Sequence, residues 1–279
     1  MVSMNTLSKE KRIAVVGALV EGCSIRATVR MTGVAKNTVV KLLTDLGRAC
    51  AAYQDRTLRG LAPKRIQCDE IWAFCHAKQK NVPAEKQGVF GYGDVWTWVA
   101  LDADAKLVIT WHVGLRLASD AQAFMFDLAG RVVDIAQLTT DGFGAYPAAV
   151  REAFGDQVDY AQLVKLYGAE NPGAGRYSPP KCIGSHCEYV IGAADPAHIS
   201  TSHVERQNLT MRMGMRRFTR LTNAFSKKVE NLSAAVALHF MQYNFCRIHQ
   251  PVRITPAMAA GISDHVWSVE ELVGLLNRK

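Results

Sequence analysis

The chain has 279 residues, 49% of them apolar and 21% charged, with a formal net charge of +8. That length accommodates one large domain and a small one, and that apolar content excludes a disordered chain. The basic balance points to a polyanionic partner, nucleic acid before membrane, and no apolar run reaches the ~18 residues of a membrane-spanning helix.

Residues 8 to about 50 read as three helices. Ser8 caps the first, in which Ile13, Val16, Leu19 and Val20 recur at helical spacing. Ser24 opens a short second helix, Gly33 breaks it, and Val34–Leu46 forms the third, with Val39, Leu42, Leu43 and Leu46 turned inward. A short helix, a glycine turn and a helix opening Ala35-Lys-Asn-Thr38 is the helix-turn-helix arrangement; a plain three-helix packing unit is the alternative. In the first reading Lys36, Asn37, Thr38 and Lys41 face DNA. Residues 1–64 hold eleven basic and four acidic side chains, so this segment contributes 11 − 4 = +7 of the +8. The aperiodic stretch 51–64, with Gly60 and Pro63, reads as a linker after a small all-α domain at 1–50.

From Arg65 the period changes. Arg65–Cys75 has the alternation and aromatics of a strand with Asp69 in its middle, and Val95–Asp102 and Leu107–Val113 form a hairpin turning at 102–106. Ser119-Asp120 caps a helix through Arg131. Ala136–Thr140 is a strand ending at Asp141-Gly142, Tyr146-Pro147 opens another helix, and Val158–Val164 is one more strand. Gly168–Lys181 is a loop. Three strands, then helix, strand, helix, strand, make an α/β layer with a mixed sheet.

The seven cysteines are odd in number, scattered and without a CxxC pair, as reduced thiols of a cytoplasmic protein would be; the first dozen residues lack a signal-peptide core. Cys182, His186 and Cys187 lie close together, short of the second Cys/His pair that a zinc site needs. Downstream, Thr201–Arg212 reads as a helix start carrying Glu205 into a basic segment. From Arg206 to Lys228 there are Arg206, Arg212, Arg216, Arg217, Arg220, Lys227 and Lys228 and no acid. Helical spacing puts Glu205, Asn208 and Arg212 on one face, suited to a metal ion and a phosphate; Ser202-x-x-Glu205 equally fits a capping box. Acids interrupting apolar strands are costly unless paired or metal-bound, which singles out Asp69 and Asp141 beside Glu205.

Four motifs in order carry a resemblance over about residues 8–262: Asp69-Glu-Ile-Trp72, Thr140-Asp-Gly-Phe-Gly-Ala-Tyr146, His203–Arg212, and Tyr243-Asn-Phe-Cys-Arg-Ile-His249 followed by Thr255-Pro-Ala-Met-Ala-Ala-Gly261. The sequence resembles DDE-type transposases, closest to the insertion-sequence-one family. The resemblance implies a ribonuclease-H-like catalytic domain at 65–249 and a C-terminal helical tail at 250–279. It also implies a metal-binding triad of Asp69, Asp141 and Glu205 holding two Mg²⁺ or Mn²⁺ ions. Arg212, with Arg216 and Arg217, would hold phosphates near the metals. The partners implied are double-stranded DNA, element ends and target, and further copies of the chain assembled on it. The interval from Asp141 to Glu205, 205 − 141 = 64 residues, implies an insertion, and Ile248 stands where relatives often have proline. Two rivals are a nuclease or resolvase without strand transfer, and a non-enzymatic DNA-binding regulator, including an inactive transposase remnant.

Overall fold

The computed structural model describes residues 7–135, 137–168, 182–219 and 222–277. Its N-terminal helices are α1 (Lys9–Val20), α2 (Ile25–Thr32) and α3 (Lys36–Thr57). Ser8 and Ser24 cap the first two, their hydroxyls accepting from the N–H of Lys11 and Ala27, and Gly33 ends α2 in the left-handed conformation. The third helix is longer than the expected Val34–Leu46: the first half of the stretch expected as a linker is helix. Leu46, Gly47, Cys50 and Gln54 continue its buried face past the point where apolar spacing fades. Gln54 is fully buried, its Nε2 donating to the Ala237 carbonyl and its Oε1 accepting from Asn244. A buried glutamine is invisible to an apolar-period search, and that is why the helix reads short.

The sheet contains β1 (Arg65–Cys75), β2 (Gly93–Asp102), β3 (Val108–Gly114), β4 (Gln137–Asp141), β5 (Asp159–Tyr167) and β6 (Cys182–Ile191), in the order β3-β2-β1-β4-β5-β6. β1, β2 and β3 pair antiparallel, β4 joins β1 in parallel, β5 joins β4 in parallel, and β6 returns antiparallel. The five-strand order 3-2-1-4-5 is the ribonuclease-H-like mixed sheet expected of this α/β chain. One face carries α4 (Ala118–Ala129) and α5 (Tyr146–Phe154), where Trp98 packs edge-on to Tyr146 at 5.5 Å and tilted against Phe124 at 5.9 Å. The other carries α6 (Ser202–Gly214) and α7 (Val229–Met241), with α3 laid over α7; Trp111 meets Phe240 there at 5.1 Å. Covered on both faces, β1 is buried along almost its whole length.

β6 was not legible in the sequence, because almost every residue on it is exposed and no apolar face alternates. It holds Cys182, His186 and Cys187. The pairing of His186 with Val164 and of Cys187 with Leu163 turns these two neighbours to opposite faces, and His186 bonds Glu188 at 3.1 Å. Beyond Gly168, the Gly168–Lys181 loop lies outside the described residues, as does Arg220.

After α7 a π-turn (Gln242–Cys246) leads to the short helices α8 (Pro256–Ala259) and α9 (Val269–Gly274). Asn244 of the Tyr-Asn motif is fully buried and behaves as a piece of strand: Oδ1 accepts from Val108 N–H at 3.0 Å and Nδ2 donates to Val108 O at 2.9 Å. α9 packs on α1, and Tyr53, Phe245 and Trp267 cluster with ring separations of 5.0–5.6 Å, so one continuous core joins both chain ends to the sheet.

The α3–α7 seam depends on Gly47, where an added Cβ would stand 2.6 Å from the Ala234 Cβ, below any real contact. Alanine in a helix interior gains about 1 kcal/mol over glycine, whereas overpacking a core costs ~1–3 kcal/mol. Gly47→Ala should therefore lower the urea or thermal midpoint; an unchanged or raised midpoint would mean the two helices are free to separate.

Candidate active site

The parallel pairing of β1 and β4 runs to Cys68 opposite Thr140, so Asp69 and Asp141, the next residues on each strand, emerge side by side. Asp69 faces α6 and Glu70 the α4–α5 layer, with Asp141 at the end of β4 between them. One carboxylate oxygen from each of Asp69, Glu70 and Asp141 lies within 4.8 Å of the others, and no second group of three His, Cys, Asp or Glu ligands forms among the described residues. Asp141 is shaped by its own turn, Oδ1 accepting from Phe143 N–H at 3.1 Å.

Glu205 stands next to this cluster, outside its tight group. The start of α6 is capped from across the interface: Gln67 of β1 accepts from the N–H groups of His203 and Val204 at 2.8 and 3.2 Å. The capping-box alternative is therefore not realised, and the Glu205 carboxylate is released for other partners. It accepts from the Thr201 hydroxyl and pairs with Lys165 of β5. One turn on, Asn208 donates to Asp69 Oδ2 at 2.9 Å, which fixes the α6 face toward β1.

The acids raise one another's proton affinity. Burial, then the neighbouring Asp141 charge, pushes Asp69 up to about 7 and Glu70 up to about 8. Burial also raises Asp141, against the pull of the Phe143 N–H and of Arg116 and Lys165. The Glu70 side chain is 1% exposed, with the buried Tyr146 hydroxyl as its hydrogen-bonding neighbour. Arg116, two residues beyond β3, supplies the local positive charge. Its guanidinium lies 3.2 Å from Glu70 Oε2 and 3.5 Å from Asp141 Oδ2, 4.3 Å from the Phe143 ring centre and 5.0 Å from that of Trp96. A buried all-oxygen donor set of this kind fits a hard divalent cation.

The expected basic residues divide. Lys36, Asn37, Thr38 and Lys41 are all exposed at the start of α3, Lys41 pairing with Asp45. Arg216 is exposed. Arg212 donates to the Phe218 carbonyl at 3.2 Å, and Arg217 turns inward to donate to Ser226 Oγ at 2.6 Å, with burial lowering its pKa. Both thus also brace the turn after α6. Sequence reasoning missed Glu70, Arg116 and Lys165. Only Glu70 carried a signal, a second acid in tandem within an apolar strand.

No family model matches the chain, and no curated protein matches its sequence. Among solved structures it is similar to a piggyBac transposase synaptic complex with hairpin DNA, at 10% identity over 99% of this chain and 73% of that one, with a TM-score of 0.40. It is also similar to a Mos1 strand transfer complex, at 11% identity over 87% of this chain and 79% of that one, with a TM-score of 0.26. Likeness this distant leaves the site to be read from its own residues.

The clustered acids give a stability signature. From the ordinary carboxylate range near pH 4 up to about 8, the folded chain holds more protons on Asp69 and Glu70 than the unfolded chain does. The unfolding free energy contributed by these groups therefore falls as pH rises through that window. Without divalent ions the melting temperature should decline across it, and Mg²⁺ or Mn²⁺ should raise it more at the alkaline end. Glu70→Gln should flatten the decline. An equal metal effect at both ends would refute the cluster as a cation site.

Proposed function

We propose that the chain is a DNA transposase of the DDE type, similar to the insertion-sequence-one family, in which Asp69, Asp141 and Glu205 are the catalytic acids. The observation that carries this reading is the meeting of Asp69, midway along β1, with Asp141, at the end of the parallel strand β4, and Glu205 of α6 held beside them by the Gln67 cap and the Asn208 contact. Asp69, Glu70, Asp141 and Glu205 would hold two divalent ions, Mg²⁺ or Mn²⁺. When bound, such ions activate an attacking water or 3′-hydroxyl and stabilise the leaving oxygen of a phosphodiester.

The remaining work falls to the chain itself. Lys165 pairs with Glu205 and would add positive charge beside a bound phosphate. Arg116, stacked on Trp96 and Phe143, steadies Glu70 and Asp141 and adds positive charge where a phosphodiester would lie. Arg212 near the end of α6 and Arg216 in the turn just beyond it extend that charge. In a 1–50 helix-turn-helix domain, Lys36, Asn37, Thr38 and Lys41 read the element's ends, and copies of the chain assemble on the DNA.

The test is nicking of supercoiled plasmid. Wild type should nick with Mg²⁺ or Mn²⁺ and not in chelator. Replacing even outer partners of metal ligands costs 10–100-fold, so Asp69→Asn and Asp141→Asn should lose at least about 100-fold with duplex binding retained. Nicking that survives in Asp69→Asn, or in chelator, would sink the reading. A protein that binds and never nicks would be the regulator instead.

Glu205→Gln should lose cleavage to the same extent. If Glu205→Gln keeps cleavage and Glu70→Gln abolishes it, the third acid is Glu70.

A further inference from the structure

Away from the carboxylates, a groove of about 1440 Å³ lies between the N-terminal helices and the segment joining α6 to α7. Arg26 and Lys36 line one wall, and Arg216, Arg217, Lys227 and Lys228 the other; no Asp or Glu lines it. Elsewhere the chain pairs many of its cations, as in Lys9–Glu270, Arg59–Asp55, Arg131–Asp127 and Lys165–Glu205. Among the described residues, none of these six cations has a carboxylate within ion-pair distance. Like charges brought together from separate segments repel, and a polyanion that displaces their counterions relieves this.

A second observation lies on the floor. His239 of α7 lines the groove, is 8% exposed, and has an Nε2 with no hydrogen-bond partner among the described residues. A buried ring nitrogen is costly without a partner, and a phosphate oxygen entering the groove would accept a hydrogen bond from its N–H. The walls are also held in fixed relation. Gly22, at the turn between α1 and α2, sits so close to the end of α6 that an added Cβ would stand 2.6 Å from the Gly214 carbonyl oxygen.

We propose that this groove grips the sugar-phosphate backbone of duplex DNA, with Arg26 and Lys36 on one side, Arg216, Lys227 and Lys228 on the other, and His239 beneath. The proposal rests on DNA being the substrate, as argued above, and adds a built site that joins the reading helix to the body. Gly214 at the groove and Glu205 at the acids are nine residues apart on α6, about 14 Å along its axis. One duplex gripped here would thus reach the carboxylates without any linker having to span the distance.

The experiment is fluorescence anisotropy with a labelled random-sequence duplex in chelator, where cleavage plays no part, across a salt series. Lys227→Ala/Lys228→Ala should weaken binding and reduce the slope of log K against log salt by about 1.8, two phosphate contacts at about 0.9 each. Arg151→Ala, on α5 across the sheet, is the control and should leave both unchanged. His239→Phe should weaken binding without altering the slope, since it removes a neutral donor and no charge. Unchanged affinity and slope in the double variant, or equal loss in Arg151→Ala, overturns the proposal. The nicking assay stays separate: a chain that nicks normally while the double variant binds like wild type loses only the groove, and one that grips duplex here yet never nicks loses only the transposase reading.

Discussion

The parallel register between β1 and β4 is the constraint on which the rest of the site depends. It carries two aspartates, far apart in the chain, to neighbouring positions, Asp69 midway along β1 and Asp141 at the end of β4, each just past the last paired residues Cys68 and Thr140. Glu70 adds a third carboxyl from the opposite face of β1. The sheet therefore imposes a concentration of negative charge that no local rearrangement relieves, and the surroundings are arranged to contain it.

Containment takes three forms. Asp69 and Glu70 take up protons more readily than ordinary carboxylates. Arg116, immobilised between two aromatic faces, offsets Glu70 and Asp141. Lys165 and Thr201 hold Glu205 just beside the cluster, and Asn208 ties α6 to Asp69. Asp69, Glu70 and Asp141 thus remain together as one all-oxygen group, their carboxylate oxygens within 4.8 Å of one another.

The helices on the α6 side serve the same site at one remove. Capping of α6 by Gln67 aims Glu205, and α7 supports α3 through the close Gly47–Ala234 approach. Buried polar groups, Gln54 and Asn244, join α3, α7 and the edge strand β3. The N-terminal helices are thus fastened to the sheet through one core, which makes the groove between them a property of the packed molecule.

Much of the frame was already legible in the residues. Strand β1 has the limits read from its alternation, and the β2–β3 hairpin, α4, β4 and α5 follow within a few positions, because each buries a face whose period is written locally. Asp69 and Asp141 stood out for the same reason, as charges where such a pattern calls for apolar side chains. What the sequence could not determine depends on partners distant in the chain. The last turns of α3 are set by a buried glutamine whose partners are 183 and 190 residues away. The α6 cap comes from a strand 136 residues earlier, so Ser202-x-x-Glu205 mimicked a capping box that never forms. Glu70, Arg116 and Lys165 acquire meaning only when three strands and a loop converge on Asp141. Periodicity records which face of an element is buried; which charges meet is decided by the register between elements, and that only the tertiary fold supplies.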